Sequence, residues 1–258
     1  MPVEGVRRPA WAEIDTSALR HNLTTLREFV APAAVCAVVK ANGYGHGAVV
    51  AARAFLDAGA AGLAVAIVDE GVELRAGGIS EPILLLAETP ADALDDAFDA
   101  RLTVTVGSLD GAHAVVASAA RAGGRHPVHI KVDTGMHRMG VSPHDIDAVV
   151  DVLSASPNVV IEGVYTHFPV ADSIASEDQA YSLHQMAEFD TVIERVRQRG
   201  VTPALIHLAN SAAALALPSA RASMVRIGLA AYGLIARLVT AVVGALILLY
   251  LLRLVRKA

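Results

Sequence analysis

Cysteine is almost absent from this sequence. The 258-residue chain holds one, Cys36, so no intrachain disulfide can form. Its place inside an apolar run reads as a small buried hydrophobe, and the lack of partners fits a reducing, cytoplasmic compartment. Blocks of like charge are also missing, and a formal net charge of -5 gives no reason to expect a nucleic-acid partner. Met1 to Arg8 is polar and no apolar stretch of signal length follows it, so no secretory leader is expected. No metal site is expected either. Lysine is the last scarcity: there are three, Lys40, Lys131 and Lys257, and arginine supplies the rest of the positive charge.

Two of those lysines end apolar, β-branched runs. Val35 to Val39 leads into Lys40, and Gly43, Gly45 and Gly47 then punctuate a turn before a helical pattern resumes from Ala48 to Leu56. Arginine keeps its proton at any working pH, whereas an ammonium beside apolar walls can lose it and attack a carbonyl. The run therefore presents Lys40 as a Schiff-base lysine at the open end of a buried strand. The plainer reading, a surface lysine on a βα loop, leaves the flanking pattern unexplained.

Short runs rich in valine and isoleucine predict strands at Val35 to Lys40, Gly62 to Val68, Ile83 to Ala87, Leu102 to Val106, Val128 to Asp133, Val159 to His167, Leu205 to Ala209 and Met224 to Leu229. Helical stretches lie between them. Asp178 to Arg199 carries a stripe of Leu183, Met186, Phe189, Ile193 and Val196. A helix ahead of the first strand is capped by Asp15 or Thr16 and striped by Leu19, Leu23, Leu26 and Val30. Eight helices alternating with eight strands predict an α/β fold, a (β/α)8 barrel of the TIM type, with an open doubly wound sheet as the alternative. A barrel gathers its chemistry at the carboxyl ends of the strands. There the sequence places Lys40, Lys131, Asp133, His167, Asn210 and Ser211, with Arg138 in a loop and Arg226 within the last strand.

The segments Trp11 to Asp15, Val38 to Gly47, Lys131 to Gly140, Glu162 to Phe168, His207 to Ala214 and Met224 to Leu234 together resemble the bacterial alanine racemases, fold type III enzymes that use pyridoxal 5'-phosphate. The resemblance implies racemisation of L-alanine to D-alanine for cell-wall peptidoglycan, with alanine as the small-molecule partner. It implies Lys40 as the lysine that holds the cofactor and acts as base or acid on one face. Tyr44, Ser211 and the amides of Gly228 and Leu229 would hold the phosphate, with Asn210 beside them. Arg226 would donate to the pyridine nitrogen, with His167 and His207 behind it. Arg138 would contact the cofactor and the substrate carboxylate. Lys131 matches a lysine that some members carry as a carbamate; unmodified, it would need Asp133 or another acid to offset Arg138.

The resemblance covers residues 9–234 and stops. Family members continue into a mostly β domain that pairs with the strand matching Ala10 to Ile14, supplies the opposite-face tyrosine and completes a homodimer. Without it, turnover is expected to be impaired and the homodimer is doubtful. Residues 235–258 read instead as a hydrophobic tail. Leu238 to Leu252 carries no charge, and as a helix would span roughly 22 Å, short of the ~30 Å hydrocarbon core, so a membrane helix, a helix buried on the barrel and a rearranged coding end all stay open. Two further functional readings stay open too: a non-enzymatic barrel that carries pyridoxal phosphate, and a membrane-tethered inactive relative.

Overall fold

The computed structural model describes residues 12–233. The tail, including Leu238 to Leu252, lies outside the described residues, as do Ala10 and Trp11 of the expected first pairing strand; residues 12–15 form no strand. Among the described residues, no helix is long and apolar enough to cross a membrane.

All eight expected strands are present, as β1 (Ala34–Val38), β2 (Gly62–Val65), β3 (Ile83–Glu88), β4 (Thr103–Val106), β5 (His126–Lys131), β6 (Val159–Tyr165), β7 (Leu205–His207) and β8 (Met224–Ile227). They pair in parallel in the order β7-β6-β5-β4-β3-β2-β1-β8. The circle closes between β7 and β8, where Ser223 N donates to the Ile206 carbonyl (3.1 Å) and Arg226 N to the Ala209 carbonyl (2.9 Å). The fold is thus the (β/α)8 barrel.

Helices α1 (Thr16–Val30), α3 (Ala48–Asp57), α4 (Val68–Ala76), α5 (Leu94–Asp99), α6 (Leu109–Ala122), α7 (Ile146–Ser154), α8 (Ser176–Gln198) and α9 (Ser211–Ala216) form the outer ring. One further segment, α2 (Lys40–Tyr44), is a left-handed turn and makes nine among the described residues where eight barrel helices were expected. Asp15 caps α1, accepting from Ser17 N (2.8 Å) and Ala18 N (3.1 Å), which fits the exposed start of a helix whose Leu19, Leu23 and Val30 are buried. The stripe expected on α8 is corrected at one position. Phe189, Ile193 and Val196 are buried, but Leu183 is 55 % exposed, and Ser182 and Gln185 turn inward in its place.

Strand alternation divides the molecule into two interiors. Val35, Ala37 and Val39 face the helices and join the large core, whereas Cys36, Val38, Ala64, Leu84 and Met224 form a separate apolar plug. The strand positions nearer the carboxyl ends carry buried Thr105, His129, Lys131, His207 and Arg226. One barrel thus has a dry base and a polar mouth. Five of the eight strands end two residues before the sequence predicts, so that Lys40, Asp133, His167 and Leu229 fall just past the ladder, where the chain leaves the sheet.

Candidate active site

Lys40 opens the longest run of left-handed backbone among the described residues. Ala41, Asn42, Gly43 and Tyr44 all have φ between 51° and 60°, a run of left-handed residues that costs roughly 1–2 kcal/mol at each non-glycine position. The surroundings hold it there. Glu70 at the start of α4 accepts from Ala41 N through Oε1 (2.6 Å) and from Ala66 N through Oε2 (2.6 Å). Asn42 Oδ1 accepts from Ala48 N (2.8 Å) and so caps α3. Tyr232 packs its ring on Tyr44 at 5.0 Å and donates to the Val38 carbonyl (3.2 Å). Gly43 alone in this run needs its missing side chain for space, since a Cβ would lie 3.1 Å from that of Ala51.

Across the mouth, β8 meets the start of α9. Asn210 caps that helix by accepting from Ala213 N (3.0 Å) and ties down the neighbouring loop by donating to the Phe168 carbonyl (3.0 Å). Ser211 Oγ accepts from Gly228 N (2.9 Å) and Ala230 N (3.4 Å), while Leu229 N–H between them has no acceptor among the described residues. A Cβ on Gly228 would sit 2.8 Å from the Tyr44 hydroxyl, so the bare glycine is what lets the two loops meet. A hydroxyl, a phenol and converging amides make an anion seat without a cation.

Arg226 is 3 % exposed and has no carboxylate within ion-pair distance among the described residues. Its Nη1 donates to His207 Nδ1 (2.8 Å) and the His207 carbonyl (3.0 Å). Its Nη2 donates to the Thr166 (2.7 Å) and Leu208 (3.1 Å) carbonyls and faces His167 Nδ1 at 3.3 Å. Tyr165 lies under the guanidinium at 4.9 Å and stacks on His207. The Nε–H has no protein acceptor among the described residues and remains available to a ligand.

Burial, reinforced by the cation, sets the protonation of its neighbours. His207 is held well below the ordinary histidine range by burial and by Arg226. His167 is pushed down to about 3, again by burial first and Arg226 second. Both rings are therefore neutral acceptors toward the guanidinium. Behind His207, its Nε2 meets His129 Nδ1 at 2.9 Å, and His129 Nε2 meets the Glu162 carboxylate at 3.2 Å.

Lys131 is 3 % exposed, and its pKa falls to about 8 because burial, Arg138 and Arg226 all disfavour its charge. Asp133 makes no ion pair with Lys131 among the described residues, though its charge does favour the protonated lysine. Its Oδ1 accepts from Gly135 N (2.9 Å) and His137 N (3.0 Å) and is spent on shaping the loop that carries Arg138. Arg138 itself is exposed at the mouth. Gln185 reaches in from α8 and donates to Thr134 Oγ1 (3.3 Å) and the His167 carbonyl (3.4 Å), which joins that loop to the next one.

Residues 14–236 match the family described as alanine racemase, N-terminal domain. The chain belongs to the alanine racemase family. It is 43 % identical over 228 residues to the alanine racemase of Desulfovibrio desulfuricans, covering 88 % of this chain and 61 % of that one. It is also 43 % identical over 231 residues to that of Desulforamulus reducens, covering 89 % and 62 %. Among solved structures, alanine racemase of Clostridium difficile in complex with cycloserine superposes with a TM-score of 0.83 at 35 % identity, over 88 % of this chain and 62 % of that one. The chain thus spans about six tenths of the length of the curated alanine racemases it matches.

Of the residues that the alanine racemase resemblance points to, the barrel brings Lys40, Tyr44, His167, Asn210, Ser211, Arg226, Gly228 and Leu229 to one mouth, with Arg138 at its rim. Residues that the sequence reading passed over are Glu70, His129, Glu162 as a side chain, and Tyr165. His129 was within reach, since it lies two positions before Lys131 on the same strand face. Glu162 was not. It is the extra residue of a β-bulge: Val128 pairs with Ile161 and His129 with Gly163, and the skipped Glu162 is re-aimed at His129. Gly163 leaves the room, because a Cβ there would lie 2.7 Å from the His129 ring. Gly163→Ala is expected to cost roughly 1–3 kcal/mol through overpacking. A chemical-denaturation midpoint equal to that of the unsubstituted chain would contradict this.

Proposed function

We propose that this barrel binds pyridoxal 5'-phosphate through Lys40 and forms the cofactor-bearing part of an alanine racemase acting on alanine. Residues 9–234 are assigned to that unit and 235–258 to a separate tail. The observation that carries the reading is the buried Arg226, with every N–H committed to protein except Nε–H, at the same mouth as a lone presented lysine and an empty-handed Leu229 amide. The donors present suit the group: Tyr44, Ser211 and the Leu229 amide for a phosphate dianion, with the Gly228 amide beside them on Ser211 Oγ, Arg226 for a ring nitrogen, and Lys40 for an aldehyde.

When bound, the cofactor supplies the electron withdrawal that loosens the α-hydrogen of an amino acid. The chain does the rest. Arg226 offers a hydrogen bond but never its proton. With His207 and His167 as neutral acceptors it is locked in orientation, so a ring nitrogen held there would receive a hydrogen bond and no proton, and its electron withdrawal would be moderate. Such a setting would favour return of a proton to the same carbon, which is racemisation. Lys40 is the group placed to hold and move that proton on its own face, and Arg138 offers a planar fork to the carboxylate.

Two measurements test the reading. Hydride trapping with pyridoxal phosphate followed by peptide mass analysis is expected to place the adduct on Lys40 and to find none in Lys40→Ala. Exchange of the alanine α-hydrogen with solvent deuterium is expected with the intact chain. Trapping at another residue refutes the cofactor assignment; trapping at Lys40 without exchange favours a non-enzymatic carrier of the cofactor.

A further inference from the structure

We propose that His129 and Glu162 are positioning residues for Arg226, which act by fixing which nitrogen of each buried histidine carries its proton. The logic is one of donors and acceptors. A guanidinium can only donate, so His207 Nδ1, 2.8 Å from Arg226 Nη1, must accept and its proton must sit on Nε2. That proton points at His129 Nδ1, 2.9 Å away, which must therefore accept and leave its own proton on Nε2. His129 Nε2 faces the Glu162 carboxylate at 3.2 Å, and an ionised carboxylate can only accept. Four side chains on four strand segments form one line of hydrogen bonds with a single allowed direction.

The two ends of the line differ in kind. Arg226 is buried and cannot lose its charge, whereas Glu162 has 39 % of its side chain exposed and its pKa is held down by the hydrogen bond from His129. No carboxylate reaches Arg226 directly among the described residues, so Glu162 is the anion that answers the buried cation, through two polarised neutral rings. Reversing the line would set His207 Nδ1–H against Arg226 Nη1–H, two donors face to face. The guanidinium would then have to shift, and with it the Nε–H on which the proposed ring contact depends. The bulge that inserts Glu162 and the bare Gly163 beneath the His129 ring are both needed for this arrangement and have no other evident use.

The tautomer claim concerns the chain alone; its consequence for a ligand rests on the cofactor reading above. Nitrogen-15 NMR of the chain labelled at histidine, without cofactor, is expected to show His129 and His207 as the Nε2–H form. In Glu162→Gln the amide can donate as well as accept, so the direction is enforced from the Arg226 end alone and a minor His207 Nδ1–H population is expected beside the main form. An Nδ1–H form of His207 in the unsubstituted chain overturns the proposal without any variant, and an unchanged pattern in E162Q overturns it as well. Titration with pyridoxal phosphate, read by absorbance, should then show E162Q binding about tenfold more weakly with a displaced maximum, a typical loss when the partner behind a ligand-holding group is removed. If the tautomers change while affinity and maximum hold, His129 and Glu162 do not position Arg226 for a ligand. If the unsubstituted chain takes up no pyridoxal phosphate, the cofactor reading fails while the NMR result still decides the relay.

Discussion

Arg226→Leu is expected to melt roughly 6–12 °C below the unsubstituted chain and to lose its hold on pyridoxal phosphate. The carbonyls of Thr166, His207 and Leu208 and the Nδ1 of His207 all give up their donor at once in a site closed to water. An orphaned buried acceptor costs roughly 1–3 kcal/mol, and four of them would exceed any gain from no longer burying a cation. A net loss of about 3 kcal/mol is the expectation, and in a chain of this size each kcal/mol moves the melting point by roughly 2–4 °C. Arg226→Lys should fall between the two, since three donors on a mobile stem cannot serve five partners. Differential scanning calorimetry on the three chains checks this, and a leucine variant that melts within a degree of the parent would mean the guanidinium is no keystone.

Stability is expected to fall steeply as the pH drops below about 6.5. His129, His167 and His207 all have folded pKa values below the ordinary 6.5, with burial the leading cause in each. The unfolded chain protonates these rings as pH falls through 6.5, while the folded one does not, so protons favour the unfolded state and the stability they contribute is present only above that pH. Each group shifted by whole units is worth ~1.4 kcal/mol per pH unit, hence about 3 kcal/mol per unit for His167 and His207, with His129 adding in the same direction. A total stability of roughly 5–15 kcal/mol would be exhausted within a few units of acidification. Lys131 acts in the same sense on the alkaline side: with its folded value lowered to about 8, stability rises as pH climbs from there toward 10.5. Urea midpoints measured from pH 7.5 to 4.5 test the acid limb, and a flat profile across that range would show that the rings are not held neutral.

Much of the architecture could be read beforehand because β-branched runs and glycine turns mark parallel strands directly. Lys40 was legible for the same reason, as the end of such a run. What escaped needed three-dimensional information. Ala41 and Asn42 at positive φ are invisible to a rule that expects glycine there, and their conformation is imposed by Glu70 and Tyr232 from distant elements. Leu183 kept its helical spacing yet faces outward, since period alone does not say how wide the buried stripe is. Asp133, one candidate acid to offset Arg138 and Lys131, acts on Lys131 only from a distance, because backbone amides within its own turn hold its carboxylate. The bulge at Glu162 shifts strand register by one, which no period of two can anticipate.

The left-handed turn bears on protein engineering. Transplanting the Lys40 octapeptide into another scaffold would carry over the amine but not the geometry, because the peptide alone would relax into an ordinary right-handed conformation. The minimal portable unit includes an acidic residue from the helix after the second strand and an aromatic ring from the last βα connection, so a designer seeking a reactive lysine must graft three non-contiguous pieces of the barrel at once.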